Sequence, residues 1–284
     1  MIINEKMNLS HEDLIIETGK IAKQASSCTV QYGETIVLVS VTCDLKSDKK
    51  FNFLPMSVDY REKYYASGRI PGGFFKREAR PSEREIIAAR ITDRPLRPLF
   101  PEEFQKETIV SINVLSYDEE NEPELLGTIG ASMCLGMSDI PWNGPVASVR
   151  VGKIDGKLKI NPTNSELADS PIEIIVSGTE DSIVVVEGEC DFISEEEFLT
   201  TMQYAHEAIK DIVKLQNKII KKIGKVKYKL VKSELSEQVN AACKKIEKDL
   251  TKKVLEDLNK PKAKFDRYED IDSYCNKAME SFQG

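Results

Sequence analysis

Residues 68–101, GRIPGGFFKREARPSEREIIAARITDRPLRPLFP, join a basic aromatic loop to a segment with helical features. Gly72 and Gly73 allow backbone angles that other residues avoid, so the chain can bend tightly there. Two aromatic and two basic side chains follow directly: Phe74, Phe75, Lys76 and Arg77. We expect these side chains to project from the bend, and the rest of the chain to form the scaffold that holds them.

A helix is predicted directly after the loop. Ser82 and Glu85 have the S-x-x-E spacing of a capping box, in which each side chain accepts a hydrogen bond from the backbone N–H of the other residue. Pro95 lacks an N–H and disfavours helical angles in the preceding residue, so the helix is expected to end near Arg94. Arg90 shares a face with Arg94. The neighbouring strip of this helix is predicted to be apolar, formed by Ile87 and Ile91.

Positive charge is concentrated in this region. Between residues 61 and 97, eight Arg and two Lys stand against five Asp or Glu, a local balance of +5 in a chain with a formal charge of −7. Cations and adjacent aromatic rings suit single-stranded nucleic acid, because phosphates bind the cations and bases stack on the rings. The alternative is that Phe74 and Phe75 are core residues and that the arginines pair with nearby carboxylates, those of Glu78, Glu83, Glu85 and Asp93.

The composition is that of a globular protein. With 284 residues, 40% of them hydrophobic, the chain can form one large domain and a small one. The six cysteines show no C-x-x-C spacing and the two histidines are far apart, so no zinc site is predicted. The sequence shows no secretory leader and no apolar run near 18 residues, so we expect a cytoplasmic protein without a membrane partner.

The predicted elements follow an α+β pattern. Apolar segments within residues 13–43 predict a meander of strands, and further strands are predicted up to residue 188. Residues 124–138 predict a helix with small residues that would let it approach a sheet closely: Gly127, Gly130, Ala131 and Ser132. A phosphate-binding glycine loop is disfavoured there, because no G-x-x-x-x-G-K motif occurs.

The last third of the chain is predicted to be helical. Ser194 and Glu197 form a second S-x-x-E pair that opens a helix to about Ile223. The lysine-rich residues 224–232 are interpreted as a linker, and two further helices follow it. Glu187, Glu189 and Asp191 are interpreted as a solvated strand end, since further support for a metal site is missing.

Several of these segments resemble the first ribonuclease PH-like core of the bacterial polynucleotide phosphorylases. The segments that carry the resemblance are residues 17–25, 32–35, 58–101, 129–132, 140–145, 161–163 and 177–180. The resemblance implies an α+β fold of mixed sheets packed with helices over residues 1–224. It also implies a small all-helical domain, truncated in this chain, over residues 225–284.

The resemblance also implies a function. Enzymes of this family degrade RNA from its 3′ end with inorganic phosphate and release nucleoside diphosphates. This chain would supply RNA binding and assembly of a homotrimeric ring within an RNA-degradation complex. The catalytic residues and the ligands of Mg²⁺ are expected in a second core, so the chain alone is expected to be inactive. The alternative is a non-catalytic RNA-binding scaffold subunit of an exosome-like ring.

Candidate RNA-contacting residues come from the same resemblance, in which the double-phenylalanine loop grips RNA at the mouth of a central channel. They are Phe74, Phe75, Lys76, Arg77, Arg80, Arg90, Arg94 and Arg97. For the last three, contact with RNA and pairing with Asp93 both remain open. No catalytic residue and no metal ligand is predicted in this chain.

Overall fold

The computed structural model of the chain describes residues 2–47, 51–74, 76–78, 80–230 and 237–280. Two compact units are separated by their contacts, Met1–Leu230 and Val231–Gly284. The first unit contains two β-sheets with helices packed on them, and the described part of the second is helical. The α+β class is therefore confirmed. The division falls after Leu230, whereas the sequence placed the boundary after residue 224.

The larger sheet has six strands in the order β1-β2-β3-β4-β6-β5. Their bounds are Ile3–Leu9 (β1), Glu12–Thr18 (β2), Ser26–Tyr32 (β3), Thr35–Cys43 (β4), Met56–Glu62 (β5) and Thr108–Ser116 (β6). All neighbours are antiparallel except β5 and β6, which are parallel. Alternate side chains of the central strands are fully buried, for example Val37 and Val39 on β4, as period-two patterning requires. β1 was not predicted, because its sequence alternates too weakly.

The smaller sheet has four antiparallel strands in the order β10-β9-β7-β8. Their bounds are Ala147–Ile154 (β7), Lys157–Ile160 (β8), Ile172–Gly178 (β9) and Ile183–Cys190 (β10). The helices of the first unit are Glu83–Leu96 (α1), Pro123–Met137 (α2), Asn164–Leu167 (α3) and Glu195–Ile223 (α4). The first unit also contains two 3-10 helices. Tyr64–Ser67 precedes the loop that leads to α1, and Arg97–Leu99 follows α1 directly.

α2 is the central helix, and every one of its residues is buried. It packs against β3 and β4 on one side and against β7 and α4 on the other. Gly130 makes the approach to the larger sheet possible. A Cβ atom at this position would lie 2.5 Å from Cγ2 of Val39 and 3.1 Å from Cγ2 of Val30. The predicted close approach of this helix to a sheet is confirmed.

Substituting Gly130→Ala is therefore expected to destabilise the first unit. Overpacking of a rigid core costs about 1–3 kcal/mol, which exceeds the gain of about 1 kcal/mol from the helix propensity of alanine. Urea unfolding followed by the fluorescence of the buried Trp142 measures the change. Gly136→Ala in the same helix is the matched control, since its Cβ would meet only atoms of one side chain, the terminal Cδ1 of Ile220 and, at 3.1 Å, its Cγ1, and the half-buried end of that side chain can rotate away. Equal stability of the two variants would contradict the packing argument.

α1 continues through Pro95 to Leu96, so the predicted end at Arg94 is wrong. Proline has a helix-compatible φ and removes one hydrogen bond, and the burial of Pro95 and Leu96 against the core offsets that loss. The predicted apolar strip is wrong for Ile87, which is exposed. The buried face is instead formed by Ala88, Thr92, Pro95 and Leu96.

The second predicted capping box is only half formed. The Ser194 hydroxyl accepts a hydrogen bond from the Glu197 N–H at 3.2 Å, as predicted. The Glu197 carboxylate instead contacts the ammonium group of Lys153 on β7. The start of α4 is therefore joined to the smaller sheet by an ion pair.

The linker interpretation is wrong for residues 225–230, which pack on the first unit. The Lys225 N–H donates to the Met137 carbonyl at 3.0 Å, and the Tyr228 N–H donates to the Asp139 carbonyl at 2.7 Å. The Lys227 ammonium group donates to three carbonyls at the end of α2, those of Leu135, Gly136 and Ser138. These are groups that a helix leaves unpaired at its negative end. Burial lowers the pKa of Lys227 to about 8. Residues 231–236 lie outside the described residues.

The second unit contains α5, Glu237–Leu258, and α6, Lys264–Glu280, which contact each other. The Tyr274 hydroxyl of α6 donates to the Asp257 carboxylate of α5. The two helices predicted from the sequence are present. Throughout the described part of the chain, no helix combines the length and the apolar character needed to cross a membrane.

Candidate nucleic-acid interface

The basic aromatic loop connects the 3-10 helix Tyr64–Ser67 to the start of α1. Left-handed backbone angles shape it, with φ of +69° at Gly73 and +50° at Lys76. Phe74 is 95% exposed, so it is not a core residue, and that part of the alternative interpretation is wrong. Phe75 lies outside the described residues. Lys76, Arg77 and Arg80 are all exposed on this loop.

Glu78 fixes the exit of the loop. Its carboxylate accepts a hydrogen bond from the Lys63 ammonium group at 2.9 Å and another from the Tyr64 N–H at 3.0 Å. The hydrogen bond from Lys63 is the main cause that lowers the pKa of Glu78. Glu78 therefore stays ionised at neutral pH and ties the loop to the 3-10 helix. The alternative interpretation expected Glu78 to pair with an arginine, whereas its partner is Lys63.

The predicted capping box at the start of α1 is confirmed. The Ser82 hydroxyl accepts a hydrogen bond from the Glu85 N–H at 3.2 Å, and the Glu85 carboxylate accepts one from the Ser82 N–H at 2.6 Å. The same carboxylate accepts a hydrogen bond from the Glu62 N–H at 2.9 Å. Glu85 therefore also connects the helix to the end of β5.

Substituting Ser82→Ala is expected to lower the free energy of unfolding by about 1 kcal/mol, because the Glu85 N–H loses its acceptor. Urea unfolding measures this loss, and Ser82→Asn serves as the control that retains a capping oxygen. RNA affinity is expected to fall only slightly. If RNA binding were lost while stability remained unchanged, Ser82 would contact the ligand directly and the capping explanation would fail.

An open groove of about 930 Å³ lies between the loop, the 3-10 helix Tyr64–Ser67 and the start of α1. Six cations line it: Arg61, Lys63, Arg69, Arg77, Arg80 and Arg84. Five carboxylates also line it: Asp59, Glu62, Glu78, Glu85 and Glu119. Within the described residues, Arg77 and Arg80 have no carboxylate partner, whereas the other four cations are in ion pairs. The groove therefore has its available positive charge on the loop side.

The three arginines after the start of α1 have different environments. Arg97 forms a two-point ion pair with Asp93, at 2.6 and 2.9 Å, and also donates to backbone carbonyls before and within β5. Arg94 pairs with Glu187 on β10, which connects α1 to the smaller sheet. Arg90 is exposed and, in the described part of the chain, has no carboxylate partner. Of the pairs proposed from sequence, Arg97 with Asp93 is the one that forms among the described residues.

A second charged cluster lies at the start of α2 and was not predicted. Arg150 on β7 is 7% exposed, and its guanidinium donates to the Glu124 carboxyl at 2.7 Å. Its Nε has no partner among the described residues. Burial, with the neighbouring Glu122 as a further cause, raises the pKa of Glu124 to about 8. The sequence signal for this cluster was a lone arginine within an apolar strand.

Arg84 links this cluster to the groove. Its guanidinium contacts Glu122 at 2.7 Å and Glu62 at 3.2 Å, and it lies 5.6 Å from the centroid of the Tyr117 ring. In the described part of the chain, no three His, Cys, Asp or Glu side chains are placed to hold a metal ion. The described residues therefore offer no three-ligand group of this kind for the Mg²⁺ that the family resemblance implies.

Comparison with known proteins places these features in a family. Residues 11–141 match domain 1 of the 3′ exoribonuclease family, and residues 144–208 match domain 2 of the same family. Together the two matches cover both sheets of the first unit except β1, and they end about halfway along α4.

Three relatives, each named polyribonucleotide nucleotidyltransferase, match over most of this chain. The protein from Thermomicrobium roseum is 48% identical over 81% of this chain and 29% of its own length. The protein from Desulfatibacillum aliphaticivorans is 45% identical over 90% of this chain and 36% of its own. The protein from Geotalea uraniireducens is 38% identical over 95% of this chain and 40% of its own.

The chain spans between 29% and 40% of the length of these curated relatives. The ribonuclease PH fold comes first in the chain and a helical segment follows it, in the order that the sequence predicted. The chain belongs to the 3′ exoribonuclease family and corresponds to the amino-terminal part of a polyribonucleotide nucleotidyltransferase.

Proposed function

We propose that the complete protein degrades RNA from its 3′ end by phosphorolysis, and that this chain supplies the surface that holds the RNA strand. The observation that carries the proposal is the exposed loop, in which the exposed Phe74 is followed along the chain by two arginines without carboxylate partners in the described residues, Arg77 and Arg80. An exposed ring beside available cations favours single-stranded nucleic acid, since stacking and phosphate binding act together. The family membership favours RNA.

The proposed reaction is attack of an inorganic phosphate oxygen on the phosphorus of the terminal 3′,5′-phosphodiester bond. The bond from phosphorus to the 3′ oxygen of the preceding nucleotide breaks, that oxygen takes up a proton, and a nucleoside 5′-diphosphate leaves. Such a reaction needs positioning of two phosphate groups and neutralisation of their charge, and little covalent help from the protein. We place the groups that perform it, and the ligands of Mg²⁺, outside this chain.

The proposed RNA contacts fall into three groups. On the loop they are Phe74, Phe75, Lys76, Arg77 and Arg80. Arg90 on α1 is exposed and able to bind phosphate directly. Arg94 and Arg97 would have to exchange their partners, Glu187 and Asp93, for RNA phosphates. We therefore expect the loop residues and Arg90 to contribute most of the affinity.

We further propose that the protein acts in the cytoplasm as a homotrimer. One loop with a few cations gives weak affinity, whereas three loops around one channel would hold the same strand at a high effective concentration. The proposed ring would also allow the protein to join an RNA-degradation complex.

The test uses the full-length protein with a 3′-labelled oligoribonucleotide, Mg²⁺ and phosphate. Release of labelled nucleoside diphosphate that depends on phosphate supports the proposal. Release of nucleoside monophosphate without phosphate would contradict phosphorolysis. RNA binding without any release would favour the scaffold function instead. Adding nucleoside diphosphate without phosphate should extend the oligoribonucleotide, because the reaction is reversible.

A further inference from the structure

The groove between the loop and the 3-10 helix Tyr64–Ser67 contains groups that the proposed RNA contacts do not use. Tyr64 lines the groove and is 46% exposed. Arg61, Lys63 and Arg69 line the same groove, from β5 and from the start of the loop. We propose that single-stranded RNA continues from the loop into this groove and stacks a base on the ring of Tyr64. This inference rests on the proposed function of the loop.

Tyr64 is the ring in the groove that can accept a base. Its neighbour in the groove, Tyr117, is already occupied: the Arg84 guanidinium lies over its ring, and its hydroxyl accepts a hydrogen bond from the Asn164 amide at 3.2 Å. Tyr64 has no ring or cation partner of this kind in the described part of the chain. Its backbone is held firmly, since its N–H donates to Glu78 and its carbonyl accepts from the Arg69 N–H at 2.9 Å. With the backbone fixed, only the two side-chain torsions of this half-exposed tyrosine have to become ordered when a base stacks on its ring, so the entropy cost is small.

The cations of the groove are able to bind phosphate. Arg77 and Arg80, on the loop side, have no carboxylate partner in the described residues. Arg69 pairs with Glu119 at 3.0 Å, but both side chains are more than 60% exposed. Exposed pairs of this kind contribute little free energy, so an RNA phosphate can replace the carboxylate at small cost. The phosphates would therefore follow the arginines of the loop side while the base reaches Tyr64.

The shape of the site favours a strand over a single nucleotide. The groove is open and continuous with the loop that carries the exposed Phe74, so a bound chain can extend in both directions. An acidic peptide would also satisfy the cations, but it would not need an aromatic ring at Tyr64. The effect of substituting Tyr64 therefore separates the two kinds of partner.

The test measures binding of a fluorescein-labelled 12-nucleotide oligoribonucleotide to the 284-residue chain by anisotropy, with three variants. Tyr64→Ala is expected to weaken binding about fivefold or more, and to leave the slope of log Kd against log salt unchanged, because stacking releases no counterions. Tyr64→Phe keeps the ring and should bind like the unchanged chain. Tyr65→Ala is the matched control, since Tyr65 belongs to the same 3-10 helix and is 59% exposed but does not line the groove.

Trp142 fluorescence in urea checks that each variant remains folded. Unchanged affinity of a folded Tyr64→Ala variant would overturn the inference, as would an equal loss for Tyr65→Ala. Displacement of the RNA by a polyglutamate peptide with the same sensitivity to Tyr64→Ala would also overturn it, in favour of an acidic protein partner. If Tyr64→Ala has no effect while Lys76→Ala with Arg77→Ala weakens binding, the groove inference fails and the proposed function of the loop stands. If the unchanged chain binds no RNA, both fail.

Discussion

Substituting Arg150→Met is expected to lower the free energy of unfolding of the first unit by about 3–5 kcal/mol at pH 9. The guanidinium of Arg150 contacts Glu124 at 2.7 Å and Glu173 at 3.5 Å, and the Glu124 side chain is 8% exposed. Without Arg150, an ionised Glu124 would be left buried beside Glu122 and without a cation of its own. Methionine is chosen because it keeps much of the side-chain volume.

The loss is expected to be smaller at pH 6. Burial raises the pKa of Glu124 to about 8, so at pH 6 the carboxyl holds a proton and removal of Arg150 leaves no unpaired charge there. Above a pH of about 8, the folded variant must either keep Glu124 protonated, although the solution favours loss of the proton, or bury a carboxylate without a cation. Both alternatives cost the variant folding free energy that the unchanged chain does not lose. The difference in stability between the unchanged chain and the variant should therefore grow with pH.

Urea unfolding at pH 6 and pH 9, followed by Trp142 fluorescence, measures both quantities. Arg69→Met is the matched control, because it removes an exposed arginine that is also paired with a glutamate, and it should cost less than about 1 kcal/mol at either pH. A loss of similar size for Arg150→Met at both pH values would show that Glu124 does not titrate in this range. A loss as small as that of the control would show that the buried pair contributes no stability.

The sequence predicted the elements whose side-chain period is strong. In β4 and in β6 the first seven residues alternate between buried and more exposed positions, so their apolar runs identify them as strands. The capping box at Ser82 was predicted for a similar reason, because two residue types at a fixed spacing satisfy specific backbone groups. In each case the information is local, and no distant residue is needed to interpret it.

The features that were not predicted depend on tertiary contacts. Pro95 is tolerated inside α1 because it is buried in the core, and the sequence does not show this burial. Residues 225–230 have the composition of a linker, yet Lys227 finds three carbonyls at the end of α2. Arg150 and Glu124 lie 26 residues apart and meet because β7 and α2 are packed together. Long-range contacts of this kind override local propensity.

In the candidate interface, too, local features were predicted and features that depend on tertiary contacts were not. Composition identified the basic aromatic loop but left open whether Phe74 lies in the core, and the structure shows that Phe74 is exposed. The pairing of Arg94 with Glu187 could not be predicted, because it requires β10 to lie beside α1. Tyr64 was overlooked because aromatic residues next to a strand are usually buried, whereas the 3-10 helix presents it to the groove.

The loop itself is expected to bind RNA through two separable contributions. Phe74→Ala should weaken binding of a 12-nucleotide oligoribonucleotide to the 284-residue chain by about 1–3 kcal/mol, because one base can no longer stack, and should leave the salt slope unchanged. Lys76→Ala with Arg77→Ala should also weaken binding, and it should reduce the slope of log Kd against log salt by about 0.7 for each RNA phosphate that the variant no longer binds. Phe74 is 95% exposed, so neither variant should change stability by more than about 0.5 kcal/mol.

Anisotropy titrations measure the Kd and its dependence on salt together. The salt concentration is varied between about 50 and 200 mM, which covers weak and strong screening. Lys252→Ala with Lys277→Ala on the second unit is the matched control for removal of two exposed cations, and it should leave both unchanged. Unfolding by Phe74→Ala would mean that this ring belongs to a packed interior. An unchanged slope for Lys76→Ala with Arg77→Ala would mean that the loop holds no phosphate, and the RNA would then have to bind through Arg90 and the other arginines of α1. The two slopes, measured on the same oligonucleotide, therefore separate a loop that stacks bases from one that binds the backbone.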